Sequence, residues 1–371
     1  MRQCINALQQ YLIDNKADKM TVEQITKLLA KKRINVVYEP GLLLFNYSFN
    51  PDFSDPVVKC SRGIILYEED FSIACYPFDK FNNYNSDLAD DIDWSSAKVL
   101  DKMDGQIMKV WFNKLNNQWT LSSNSCIFAE KCFGDSSGKS AAELFNLAED
   151  KIDYNLLDKN NTYIFELTSK FNTIVIQYNE THIWHIGTRS NRTGLEFESD
   201  IKVRKPVSHE INSLEEAITT INNLCDMGDK REGFVVVDKD YHRIKVKSEY
   251  YKQLHYSNKQ ILGGRIGAIK SFREKNIDEI YEEYPELRPA IRFYQWQFEE
   301  LLDQYRKDII QFKIIISESK TKKEFAKRVG KHKNKALAFN VYKDTDYSEY
   351  DYLNSMRAKD LARLIKTYNK E

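Results

Sequence analysis

The chain has 371 residues with 55 basic and 55 acidic side chains, so its formal charge is zero and it does not bind nucleic acid as a bulk polycation. A hydrophobic fraction of 42%, with 13% aromatic, excludes a disordered chain and is enough for the cores of two domains. Six scattered cysteines without a CxxC pair point to reduced thiols, and there is neither a signal-like N-terminus nor an apolar run near the roughly 18 residues that span a bilayer; the expectation is a cytoplasmic protein away from membranes.

In chain order, the spacing of Ile5, Leu8, Leu12 and Ile13 and the Thr21/Gln24 capping-box pattern predict two short helices. Residues 34–47, broken at Pro40-Gly41, predict a hairpin, 51–56 a loop, and 57–67 and 73–76 strands. Asp87, Asp90, Asp91 and Asp93 lack the spacing and glycine of a calcium loop and read as a solvated linker.

Residues 97–100 and 107–112 read as strands, and the turn between them carries Lys102-Met103-Asp104-Gly105. A neutral lysine amine can attack the α-phosphorus of a nucleoside triphosphate, provided its pKa falls below the roughly 10.4 of a free lysine. Gly105 would let the backbone approach a bound nucleotide. Asp-Gly is equally the commonest hairpin signal, so the tetrad alone leaves an exposed turn open. Gly134 to Ser140 mimics a phosphate loop but has three residues between its glycines, where that motif needs four; Ser140 instead caps a helix over 141–148.

Strands are predicted at 162–167, with Glu166 near the end, and at 173–178. The aromatic residues of 183–189 suit either base stacking or ordinary packing. A helix at 213–225 precedes a hairpin of 233–237 and 243–247, preceded by Glu232. Lys245 and Lys247 share one face of the second strand; two adjacent cations repel, which argues for an anion between them. From about residue 256 the texture becomes helical. A long amphipathic helix is predicted over 287–317, a capping box at Thr321/Glu324, and a last helix over 356–368.

The order Lys102-x-Asp-Gly, Phe165-Glu166, 181–190, Glu232-Gly233 and Lys245-Val246-Lys247 resembles the covalent nucleotidyltransferase superfamily of DNA ligases, RNA ligases and capping enzymes. Arg62-Gly63 and Lys80-Phe81-Asn82 upstream, and a helical domain in place of an oligonucleotide-binding barrel, resemble RNA ligases of the T-even bacteriophage RNA ligase 1 type. The resemblance covers roughly residues 35–255. It implies an α+β chain: a nucleotidyltransferase domain of antiparallel sheets flanked by helices over 1–255, then an all-helical domain over 256–371.

The resemblance implies an ATP-dependent RNA ligase. Lys102 would take AMP from ATP, the AMP would pass to an RNA 5′-phosphate, and an RNA 3′-hydroxyl would expel it, in repair of RNA, possible substrates including structured RNA such as tRNA, by a monomer. Lys102, Lys245 and Lys247 are the implied catalytic residues. Arg62, Lys80, Phe81, Asp104, Gly105, Glu166 and Glu232 are the implied further nucleotide contacts. Glu232 and Glu166 are the candidate ligands of Mg2+, for which Mn2+ would substitute, and the resemblance favours a ribose-hydroxyl role for Glu166. Gln106 departs from the serine often found after the first motif and is expected to tune activity. The rivals are a GTP-dependent capping guanylyltransferase and a non-catalytic RNA-binding module on a degenerate scaffold. Between Lys320 and Lys335 eight basic residues stand against the single acid Glu324, and Lys327, Arg328, Lys331 and Lys333 are candidate RNA contacts against the alternative of a solvated helix face.

Overall fold

The computed structural model describes residues 6–48, 51–131, 139–171, 175–255, 269, 288–357 and 360–361. It divides into two compact units, Met1–His255 and Tyr256–Glu371.

The first unit opens with α1 (Ala7–Asp14), capped by Asn6, and α2 (Val22–Ala30), closed by the Thr21/Gln24 capping box. They bury Leu8, Leu12, Ile25 and Leu29 against a four-stranded sheet of β1 (Ile34–Glu39), β2 (Leu42–Tyr47), β3 (Arg62–Tyr67) and β4 (Ile73–Cys75). Residues 56–60 correct the expected strand. Val57 and Val58 favour a strand by type, but Asp55 accepts from Val57 N–H and Pro56 starts a helical turn, giving α3 (Pro56–Cys60).

Two five-stranded sheets carry the rest of this unit. One has the order β11-β10-β9-β7-β8, from β7 (Gln106–Asn113), β8 (Gln118–Ser123), β9 (Asn161–Thr168), β10 (His182–Ser190) and β11 (Glu196–Phe197). One face packs Met108, Val110, Phe165 and Leu167 against α4 (Ala141–Leu147), which Ser140 and Glu143 cap. The other sheet has the order β12-β6-β13-β14-β5, from β5 (Asn82–Asn83), β6 (Lys98–Lys102), β12 (Ser208–His209), β13 (Gly233–Val237) and β14 (Arg243–Lys247). It packs Val99, Phe234, Val236 and Val246 against α5 (Leu214–Asp226), and α6 (Glu249–His255) follows β14. All described pairings are antiparallel except β14 with β5.

The strand expected at 173–178 is not present in its described part, 175–178, because the N–H groups of Val175 and Ile176 go to a carboxylate instead of a ladder. The acidic segment is a loop with Asp87 and Asp91 exposed, as expected, and Asp90 and Asp93 make surface pairs with Lys59 and Lys239. Cys60, Cys75 and Cys225 are free thiols, but Cys126 is disulfide-bonded, which corrects the expectation of reduced thiols throughout.

In the second unit the described elements are helices: α7 (Arg288–Glu318), α8 (Lys322–Val329), α9 (Lys335–Lys343) and α10 (Glu349–Ser355). The predicted stripe of α7 buries Ile291, Phe298, Leu301, Tyr305, Ile309 and Phe312. Thr321 caps α8 by accepting from Glu324 N–H, and Glu324 reaches back one residue further, to Lys320 N–H. The expected phosphate-loop mimic and most of the expected last helix lie outside the described residues, while Ser348 caps α10, which the sequence reading missed. Among the described residues no helix is long and apolar enough to cross a membrane.

Candidate active site

The Asp-Gly pair of the lysine tetrad is not a hairpin. Lys102 ends β6, which pairs with β12 and β13, whereas Gln106 begins β7, which pairs with β8 and β9. Residues 103–105 therefore step from one five-stranded sheet to the other, and the lysine stands where the two sheets meet. Gly105 is required by packing against protein: a Cβ there would lie 2.2 Å from the Leu167 carbonyl oxygen. That closeness lets Gly105 N–H donate to Glu166 Oε1 at 3.1 Å, fixing the carboxylate beside the tetrad.

Lys102, Gly233 and Lys247 are lateral neighbours on β6, β13 and β14. A Cβ on Gly233 would lie 2.1 Å from the Val246 carbonyl oxygen, so only glycine admits this approach. Glu232, just before it, turns inward and accepts from Lys102 Nζ at 2.7 Å; the Glu232 side chain is 4% exposed and the Lys102 side chain 20%, so the amine is the open member of the pair.

Burial lowers the Lys102 pKa, but Glu232 and Glu166 together outweigh it and hold the amine above the usual lysine range, with Lys247 acting in the downward sense. The depressed pKa expected from the sequence is thus absent from the protein-only site. Burial pushes Glu166 up to about 7, helped by the Glu232 charge and opposed by Lys102 and Arg62. Glu232 is raised too, by burial against the pull of Lys102 and Lys247. Two buried carboxylates raised by burial, Glu166 also by the Glu232 charge, are hard oxygen donors short of positive charge, which suits a divalent cation. Among the described residues no third ligand-type side chain joins them within 4.8 Å, so such a cation would complete its shell with water or phosphate oxygens, as Mg2+ ordinarily does.

The remaining expected residues divide. The Arg62 guanidinium and the Lys245 ammonium both lie over the Phe81 ring, at 5.2 and 5.3 Å, so these three form one group. Lys247 lies 5.5 Å over the Tyr251 ring. Lys80 is buried with its ammonium 4.9 Å over Phe53, and it does not join the carboxylates.

Asp104 is 2% exposed and turned into the protein: Oδ2 accepts from Val175 and Ile176 N–H at 2.8 and 2.7 Å, and Oδ1 from the Tyr251 hydroxyl at 3.0 Å. It braces the tetrad, and its own N–H donates to the Tyr178 hydroxyl at 3.0 Å. Sequence reasoning missed Tyr178 and Tyr251, because nothing local to either tyrosine signals a partner more than 70 residues away. Of the aromatic residues expected to stack on a base, Trp184 donates Nε1–H to Thr168 at 3.0 Å and carries the Arg204 guanidinium at 5.2 Å, while His185 is buried against Phe165.

Several known proteins are similar to this chain. An RNA ligase of Rhodothermus phage RM378 is 24% identical over 337 residues, covering 73% of this chain and 76% of its own. A protein of Autographa californica nuclear polyhedrosis virus, described as a bifunctional polynucleotide kinase/RNA ligase, is 32% identical over 248 residues, 61% of this chain, and the chain spans only 35% of its length. An archaeal ATP-dependent RNA ligase superposes with a TM-score of 0.46 and 14% identity over 76% of this chain and 78% of its own. The RNA ligase family model matches residues 60–251, more than half of the chain and the whole of the site from Arg62 to Lys247. The chain belongs to the RNA ligase family.

Proposed function

We propose that the protein is an ATP-dependent RNA ligase that seals an RNA 5′-phosphate to an RNA 3′-hydroxyl through a lysyl-AMP intermediate. The observation that carries this reading is the Lys102 amine, held 2.7 Å from Glu232 between buried carboxylates, with Lys247 beside it. In the first step the amine attacks the α-phosphorus of ATP, the phosphorus–nitrogen bond forms and pyrophosphate leaves. The proton must come off Lys102, and Glu232, with its pKa raised and its oxygen in hydrogen-bond reach, is placed to take it. Next an oxygen of the RNA 5′-phosphate attacks the same phosphorus, releasing the lysine. The RNA 3′-hydroxyl then attacks the activated 5′-phosphate and AMP leaves.

Lys247, Lys245 and Arg62 are assigned to the charge that builds on the phosphate oxygens. Glu166 Oε1 is committed to Gly105 N–H and Oε2 makes no hydrogen bond to the described residues, which supports a ribose-hydroxyl contact. Glu232 would hold Mg2+, or Mn2+ in its place, with Glu166 adding negative charge nearby, and the ion when bound neutralises phosphate charge. Asp104 and Gly105 act as positioning residues, and Lys80 and Phe81 as flanking contacts. In the helical unit Lys327, Arg328, Lys331 and Lys333 are all exposed and are assigned to RNA phosphates, with structured RNA such as tRNA, in repair, as the substrate class of a monomer.

The test is to supply α-labelled ATP or α-labelled GTP together with a 5′-phosphorylated RNA. Label from ATP on the protein, followed by sealed RNA, is expected. Label from GTP alone would make the chain a guanylyltransferase, and no label from either would make it a non-catalytic module.

A further inference from the structure

A second cation-lined site lies at the far end of the sheet that carries Glu166. Glu166 and Gln106 mark one end of that sheet; Phe112 near the end of β7, Lys159 before β9 and Arg192 after β10 mark the other. At roughly 3.3 Å per residue, the ends of β7 are about 20 Å apart. There Tyr67, Asp70, Phe112, Lys114, Lys159 and Arg192 line a cavity of about 330 Å³.

Lys114, Lys159 and Arg192 are all exposed, and among the described residues none has a carboxylate partner. Arg192 donates Nε–H to the Asn160 side chain at 3.0 Å, which aims the guanidinium, and its terminal N–H groups make no hydrogen bond to the described residues. The Lys159 ammonium lies 4.1 Å over the Phe112 ring and the Lys114 ammonium 5.6 Å over Tyr67. These rings therefore hold cations in place and offer no open face to a base. The one acid, Asp70, spends Oδ1 on Ser72 N–H. A concave site with three unpaired cations against one acid recognises phosphate, and a cavity of about 330 Å³ takes a nucleotide-sized group but not a duplex.

We propose that this cavity grips the phosphate backbone of a single-stranded RNA segment about 20 Å from the sealing site, independently of sequence. The source of the phosphate rests on the RNA ligase reading. The assignment explains why two of the cations are held here on aromatic faces and the third by an amide, where ion pairs would have silenced them.

The experiment compares the full chain with a triple variant, Lys114→Gln, Lys159→Gln and Arg192→Gln, which keeps much of each polar stem and leaves every residue of the nucleotide site in place. RNA affinity is measured against salt for a single strand long enough to span both sites and for one too short to leave the sealing site. The variant should lose about 1 to 2 from the log–log salt slope with the long strand, bind the short strand as wild type does, and form the lysyl-AMP adduct normally. An unchanged slope with the long strand overturns the proposal, as does an equal loss with both strands. Weaker binding of inorganic phosphate or AMP with an unchanged RNA slope would also overturn it, making the cavity a small-anion site. Failure of the ligase reading would appear separately, as absence of the adduct in the wild type.

Discussion

Burial alone lowers an amine's pKa, but at Lys102 the carboxylates of Glu232 and Glu166 reverse that effect. Removing the nearer anion should free the amine. Glu232→Gln is expected to make Lys102 react faster than wild type with an amine-acylating reagent near pH 8, by roughly tenfold for each unit its pKa falls. Peptide mapping of the modified lysine checks this, and an unchanged or slower rate contradicts it. Glu166 gives a second test. Its pKa of about 7 in the fold, against an ordinary 4.5, means the folded state keeps a proton that the unfolded chain releases. The stabilisation is therefore complete below about pH 4.5 and is lost as pH rises through about 7, by up to about 3 kcal/mol. Between pH 5 and 8, wild type should lose stability relative to Glu166→Gln. The melting-temperature difference between the two reads this directly, and a difference constant with pH contradicts it.

At the scale of elements, the crossing from β6 to β7 depends on what holds residues 103–105. Asp104→Ala would leave Val175 N–H, Ile176 N–H and the Tyr251 hydroxyl without an acceptor, at a cost of about 3 to 5 kcal/mol, whereas Tyr251→Phe should cost about 1. Denaturant midpoints check the ordering, and equal losses would mean that Asp104 braces nothing. This brace was not legible in the sequence. Lys102, Glu166, Glu232 and Lys247 could be read as one site from motif order, and the β13–β14 hairpin from its alternation and turn. A carboxylate's partner cannot be read that way when the acceptor and its donors are 71 and 72 residues apart. The Asp55-Pro56 start of α3 was legible in principle, yet the β-branched pair behind it pulled the reading toward a strand. The Asp-Gly turn misled differently: local chemistry favours a hairpin there, and long-range pairing into two sheets overrides it.

For the whole molecule, every proposed nucleotide contact lies in the unit Met1–His255. A chain ending at His255 should form the lysyl-AMP adduct within a few-fold of the full rate while sealing RNA poorly, and a folded truncation without adduct formation would contradict this division of labour. The exposed basic side chains of α8 and the turn after it belong to the second unit. Replacing Lys327, Arg328, Lys331 and Lys333 with alanine should flatten the salt dependence of RNA binding by about 1 to 3 in slope, with adduct formation intact. A wild-type slope would return that surface to the role of a solvated helix face.

Peptide mass mapping after incubation with ATP and Mg2+ tests the assignment of Lys102 as the nucleophile. One AMP should be found on the peptide containing Lys102 in wild type and on no peptide in Lys102→Ala or Lys102→Arg, since arginine stays protonated. AMP on any other lysine, or an adduct that survives in either variant, would mean that Lys102 is not the nucleophile.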